Sequence, residues 1–147
     1  MALEIQTEID IDAPPERVWE VLTDLRGWDD WNPFIKCAGR PEPGASLLVE
    51  ITPPGRSTMK FSPVVQVVEA PRRFEWLGRV LFPGLFDGHH CFELSPLDEG
   101  RTRFRHFEHF RGLLVGPVMR KQLSATEAGF KAMNAALKRR VEGGEGG

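Results

Sequence analysis

Residues 3–12 alternate without a break, with Leu3, Ile5, Thr7, Ile9 and Ile11 on one side and Glu4, Gln6, Glu8, Asp10 and Asp12 on the other. This pattern predicts a strand with one wet face. One-sided wetting is a property of antiparallel sheets, since parallel sheets are covered on both faces and read as continuous apolar runs. Beyond the strand, Asp12 is placed to cap a helix with Pro14 and Pro15 in its first turn, and Val18, Trp19 and Leu22 share one face of it. Gly27 interrupts that helix. The stretch Trp28 to Phe34 predicts a second short turn, closed at Asn32 because a residue before proline disfavours the helical region.

Further strands are predicted over 35–39, 46–52, 57–69, 72–80, 86–95 and 101–111, separated by turns such as Pro41-Glu42-Pro43-Gly44, Pro53-Pro54-Gly55, Ala70-Pro71 and Asp98-Glu99-Gly100. Short turns in succession imply a hairpin-connected meander. Pro63 lies inside the 57–69 run, where it marks an edge or a bulge because proline cannot donate to a ladder. From Pro117 onward the period changes: Met119, Leu123, Thr126, Phe130, Met133 and Leu137 are spaced alternately by four and three residues, the pattern of one long helix. Lys121, Lys131 and Lys138 mark its outer face. The pattern divides the chain into one domain over 1–141 and a flexible glycine-rich tail over 142–147.

Composition narrows the function classes. A chain of 147 residues with 41% hydrophobic residues is the size of one domain with its own core. Its formal charge of −2 gives no general attraction to nucleic acid, which is not expected as a partner. The charge is uneven: nine acids in residues 1–30 face only Arg17 and Arg26, whereas Arg101, Arg103, Arg105 and Arg111 form a basic run. No basic leader and no long apolar run are seen, so no signal peptide or integral membrane segment is expected and a cytoplasmic location follows. Cys37 and Cys91 lack metal or redox spacing and read as small apolar residues; no metal site and no cofactor are expected. An unpaired edge strand leaves pairing with a second copy open, and no oligomeric state is specified.

Several strings, in order, resemble one known superfamily. They are Ile11-Asp12-Ala13-Pro14-Pro15-Glu16-Arg17-Val18-Trp19, Trp31-Asn32-Pro33-Phe34 and Phe74-Glu75-Trp76-Leu77-Gly78-Arg79, followed by Gly88 to Leu94 and Thr102 to Gly112. Together they resemble the START-like, or SRPBCC, superfamily in its polyketide cyclase/dehydrase and lipid-transport branch, over roughly residues 3–141. The resemblance implies an α+β helix-grip fold: a curved antiparallel sheet of about seven strands, with two short helices after the first strand, wrapped around one C-terminal helix. It also implies a cavity between sheet and helix. It does not choose among the carriers, receptors and cyclases that share such a fold.

Strand parity predicts the lining. Ile5 and Ile9 face inward, with Leu47, Val49 and Ile51, then Met59, Phe61, Val65 and Val67, then Phe74 and Trp76. Phe86, Gly88, His90, Phe92 and Leu94 form one inward face. Thr102, Phe104, His106, Glu108 and Phe110 form the next, opposite the wet Arg101, Arg103 and Arg105. Met119, Leu123, Phe130 and Met133 close the space from the helix, and Trp31 and Phe34 approach from the second turn. A loop around Phe82-Pro83-Gly84-Leu85 stands as a candidate entrance or a plain hairpin turn.

His90, His106 and Glu108 carry the chemistry, because a polar group facing an apolar interior is costly unless it is paired or serves a ligand. If strands 86–95 and 101–111 are neighbours, His90 and Glu108 meet across the ladder. Three readings stay open: a structural pair, a ligand-orienting pair, and a general acid/base. His89 and His109 fall on the outer face, so His89 and His90 cannot share a metal, and no third ligand is evident. The function expected first is binding of a small hydrophobic ligand such as a lipid, polyketide or aromatic compound, as carrier or sensor. The alternatives are a cyclase or dehydratase acting through Glu108 or His90, without a GxSxG nucleophile, and a protein-interaction module using the basic strand edge.

Overall fold

A computed structural model describes residues 2–143. Eight strands and two helices follow in the order β1 (Ala2–Ile11), α1 (Pro15–Thr23), a 3₁₀ turn (Leu25–Asp30), β2 (Ile35–Ala38), β3 (Leu48–Ile51), β4 (Met59–Phe61), β5 (Val64–Glu69), β6 (Arg73–Arg79), β7 (Asp87–Asp98), β8 (Arg101–Arg111) and α2 (Val115–Gly143). β1, β8, β7, β6 and β5 make one antiparallel sheet in that order, and β2, β3 and β4 make a second. A bridge between Ser46 and Val64 joins the two. Helix α2 packs across β1 and β8, and α1 packs beside it. This is the helix-grip arrangement.

The expected single run over 57–69 is two strands. Pro63 separates β4 from β5, and its carbonyl accepts from Leu47 N at 2.8 Å instead of continuing a ladder. A register shift between Val65 and Val67 then moves Val67 opposite Glu75 and Val68 opposite Phe74. Val68, rather than the expected Val67, therefore joins the core. Helix α1 starts at Pro15 with Pro14 as its cap and no capping side chain. Asp12 instead offers its backbone N–H to Glu142 Oε2 at 2.7 Å. That bond holds the end of α2 against the end of β1, so Glu142 and Gly143 belong to the helix and not to the expected tail; residues 144–147 lie outside the described residues.

The core is unusually aromatic. Trp28 is fully buried, donates from Nε1 to Leu22 O at 2.9 Å, and touches Trp31, Trp76 and Phe92 with ring centroids 5.9–6.2 Å apart. Phe74, Phe92 and Phe104 stack in series from β6 to β8. Such pairs add roughly 0.5–1.5 kcal/mol each beyond area burial. They make the end of the sheet nearest α1 solid. The opposite end is open.

Candidate functional site

At that open end a cavity of about 60 Å³ lies between the inner faces of both sheets and the first half of α2. A single water needs roughly 15 Å³ by the same measure, so the space suits a small group and a larger ligand requires side chains to move. Val49, Ile51, Met59 and Phe61 form one wall, and Trp76, Gly78, Val80 and Phe86 another. Gly88, Glu108 and Phe110 form the floor. Val118, Met119, Gln122, Thr126 and Phe130 of α2, with Phe34, form the roof.

Local chemistry holds these residues in position. Asn32 Oδ1 accepts from Phe34 N and Ile35 N, both at 2.9 Å, and this side-chain turn aims the Phe34 ring toward α2. The ring lies against Gly129, in the space a Cβ there would occupy, and meets Phe130 with centroids 5.6 Å apart. Gly112, with φ of 137°, lets the chain leaving β8 pass the Leu85 carbonyl, where a Cβ would overlap it. Leu113 N and Leu114 N then bond Gly84 O and Leu85 O. The loop containing Phe82 is thereby joined to the start of α2, and its ends, Val80 and Phe86, line the cavity.

Three polar groups face this apolar space. Glu108 is the ionisable one. Gln122 Oε1 and Thr126 Oγ1 are buried without a hydrogen-bond partner in the protein. Buried polar atoms are normally satisfied, so two orphans on one cavity wall are unusual.

Behind Glu108 runs a buried polar chain. His90 and Glu108 are register partners on β7 and β8, and His90 Nδ1 lies 3.2 Å from Glu108 Oε1. The approach is off the axis of the ring nitrogen, so Nδ1 has no aligned hydrogen bond. His90 Nε2 meets His106 Nε2 at 2.7 Å, and His106 Nδ1 meets Asn134 Oδ1 at 2.9 Å. Asn134 Nδ2 donates to Thr7 Oγ1 at 2.8 Å, and Thr7 Oγ1 donates to the His106 carbonyl at 2.7 Å. Both imidazoles are fully buried, His106 stacked on Phe130 at 4.1 Å. Burial, reinforced by neighbouring His90, holds the His106 imidazole well below the ordinary histidine range, against smaller opposing pulls from Asn134 and the Phe130 carbonyl.

Of the residues expected to line the site, Phe34, Val49, Phe61, Trp76, Glu108, Phe110, Met119 and Phe130 meet at the cavity. The other seven do not line it. His90 and His106 stand one layer behind it in the polar chain, and Phe92 and Met133 are fully buried in the solid part of the core. Val65 is buried opposite Trp76, away from the space. Trp31 is half-buried against Trp28, and Leu123 is half-buried one position off the facing row of α2. The row that faces the cavity is Val118, Gln122, Thr126 and Phe130, spaced by four. Thr126 and Phe130 belong to the four-three pattern; Val118 and Gln122 lie outside it.

The outer face carries a different cluster. Glu75 on β6 is a potential third ligand beside His89 and Cys91, all three offering donor atoms within 4.8 Å of one another. The cross-strand register brings Glu75 opposite Cys91, which sequence spacing could not show. Glu75 is already held by two nitrogens of Arg73 and by His89 Nε2 at 2.9 Å. A guanidinium against the carboxylate opposes a cation, and the group reads as an ion-paired cluster. The basic run is likewise occupied: Arg103 pairs with Asp10 at 2.9 Å and Arg105 with Glu93 at 3.0 Å. Among the described residues no helix is long and apolar enough to cross a membrane.

A sheet gripping a helix over an internal cavity defines a START-like protein. Residues 2–142 match the family described as polyketide cyclase / dehydrase and lipid transport, and the chain belongs to it. Among solved structures it is similar to the Zhui aromatase/cyclase from Streptomyces sp. R1128, at 19% identity and a TM-score of 0.78, covering 97% of this chain and 94% of that one. It is also similar to a START superfamily protein from Mycobacterium smegmatis, at 21% identity and 0.71, covering 95% and 97%. A third is norcoclaurine synthase from Thalictrum flavum in complex with dopamine and hydroxybenzaldehyde, at 12% identity and 0.72, covering 97% and 87%. At these identities the likeness is one of fold. No curated protein matches the chain by sequence.

Proposed function

We propose that this protein binds a small, mainly apolar molecule, of aromatic or polyketide-like character, in the cavity between the sheets and α2. The observation that carries this reading is the wall itself: apolar and aromatic side chains surround a space in which Gln122 Oε1 and Thr126 Oγ1 are buried without partners and Glu108 is the one ionisable group. Specific ligand sites have this composition, burial supplying affinity and a few polar atoms supplying orientation. The first test is calorimetric titration with 2-acetylnaphthalene. Saturable binding that is lost in Met119→Trp, which fills the space, supports the reading; equal heats from both proteins contradict it.

Acid/base turnover of the bound molecule is a second reading, favoured by the 3.2 Å approach of His90 Nδ1 to Glu108 Oε1. It requires that Glu108→Gln retain ligand binding while losing turnover. The interaction-module reading is not favoured, because Arg103 and Arg105 are paired with acids of their own sheet.

A further inference from the structure

The hydrogen bonds behind Glu108 can be followed from one end to the other, and each link leaves a single choice to the next. Thr7 has one hydroxyl hydrogen, and a carbonyl can only accept, so that hydrogen goes to His106 O. Thr7 Oγ1 must then accept from Asn134, which sets Nδ2 toward Thr7 and Oδ1 toward His106. His106 Nδ1 therefore carries a hydrogen. Being neutral in its buried setting, His106 has a bare Nε2, and His90 must supply the hydrogen between the two Nε2 atoms. A neutral His90 then has a bare Nδ1, with Glu108 Oε1 3.2 Å away and off its axis.

Two bare acceptors at that distance repel, and a proton on either group removes the repulsion. On His90 it would create a cation with no solvent exposure, among the rings of Trp76, Phe92 and Phe130, with its N–H off the axis to the carboxylate. On Glu108 it creates a neutral acid at the edge of an apolar cavity, a recognised way to keep a carboxyl group as a hydrogen-bond donor.

We propose that the chain Thr7, Asn134, His106 and His90 keeps Glu108 in its protonated form, and that the cavity thereby selects ligands presenting an acceptor oxygen, such as an aryl ketone, over hydrocarbons of the same shape. This rests on the ligand-binding reading above and names its chemical class. Thr7 and Asn134 are positioning residues: they touch no ligand and act by choosing the tautomers of two histidines. The Glu108 hydroxyl is loosely held, because its bond to Nδ1 is misaligned, and it can turn to a carbonyl oxygen in the cavity. No bond to carbon forms or breaks.

The test has one arm without ligand and one with it. Infrared difference spectra of wild type minus Glu108→Gln at pH 7 should contain a carboxylic-acid C=O band, and nitrogen NMR of the imidazoles should show His106 hydrogenated at Nδ1 and His90 at Nε2, both neutral. A carboxylate band in its place, an imidazolium at His90, or the other His106 tautomer would overturn the proposal. Thr7→Val, nearly isosteric, should give mixed tautomers at His106; an unchanged single tautomer also counts against it. In the ligand arm, 2-acetylnaphthalene should bind at least tenfold more tightly than 2-isopropylnaphthalene to wild type and equally to Glu108→Leu. Equal binding to wild type refutes the selectivity. Binding of neither compound refutes the cavity reading alone, while the spectra still decide the proton.

Discussion

Glu108 and Gly88 share one space: a Cβ placed on Gly88 would lie 2.5 Å from Glu108 Oε2 and 3.6 Å from its Cδ. The two residues sit on adjacent strands, and the missing side chain at 88 is what lets the carboxyl group lie along the cavity floor. Gly88→Ala should therefore turn Glu108 away and remove the preference for a ketone ligand. Gly78→Ala adds the same methyl at the register partner of Gly88, where its nearest neighbour is Pro63 Cβ at an ordinary 3.7 Å, and should keep that preference. Paired titrations of the two variants check this.

Gly129→Ala attacks the roof. Its methyl would overlap the ring of Phe34, whose backbone N–H is fixed by Asn32 Oδ1. The open side of the ring is the cavity, so it must shift there, and overpacking of this kind costs about 1–3 kcal/mol. Urea denaturation should show that loss, and ligand affinity should fall at the same time.

His106 makes stability depend on pH in a defined direction. Its folded-state pKa is depressed below 6.5, so below about that pH the unfolded chain binds a proton that the folded chain does not. The stabilisation is full above 6.5 and is lost as pH falls, by up to about 1.4 kcal/mol per pH unit. Groups facing the ring are His90 from β7, Asn134 and the Phe130 carbonyl from α2, and Thr7 from β1. In a Glu108→Gln background, where no proton on that carboxyl offsets the effect, urea midpoints between pH 7 and 5 should decline more steeply with His106 present than with His106→Gln added; equal slopes would mean the ring takes up its proton without opening the fold. Asp10 and Glu142 have lowered values too, but their contributions are lost only below the carboxylate range.

The two cysteines should be inert in the folded protein. Burial pushes both thiols up to about 12, with the Glu75 charge adding to it at Cys91. At pH 8 this leaves roughly one part in 10⁴ as thiolate, the reactive form. A chromogenic disulfide reagent should label neither residue before unfolding and both in denaturant.

Much of the fold was legible in residue pattern, for reasons these sites make plain. Strict alternation over residues 3–12 could come only from a strand wet on one face, and the same parity turned His90, His106 and Glu108 inward and His89 and His109 outward. The His90 to Glu108 juxtaposition was expected on condition that the two strands were neighbours, and the register pairs them. What stayed hidden depends on docking between distant segments. Asn134 reaches Thr7 across 127 residues because α2 lies over β1 at one particular register, and no local pattern encodes that register. Gln122 and Thr126 were masked by the assumption that a cavity wall is apolar. Val67 was misassigned because one bulge reverses every side chain beyond it.

Nuclear Overhauser contacts between 2-acetylnaphthalene and the protein's methyl groups decide whether the gap between sheet and helix is a binding site. Contacts from the aromatic protons to Met59, Met119, Val49 and Ile51 are expected, with the acetyl methyl near Glu108 and Thr126. Contacts confined to exposed Leu81, Leu113 and Leu114, with none to Met119, would put the ligand on the surface and rule out binding in the gap.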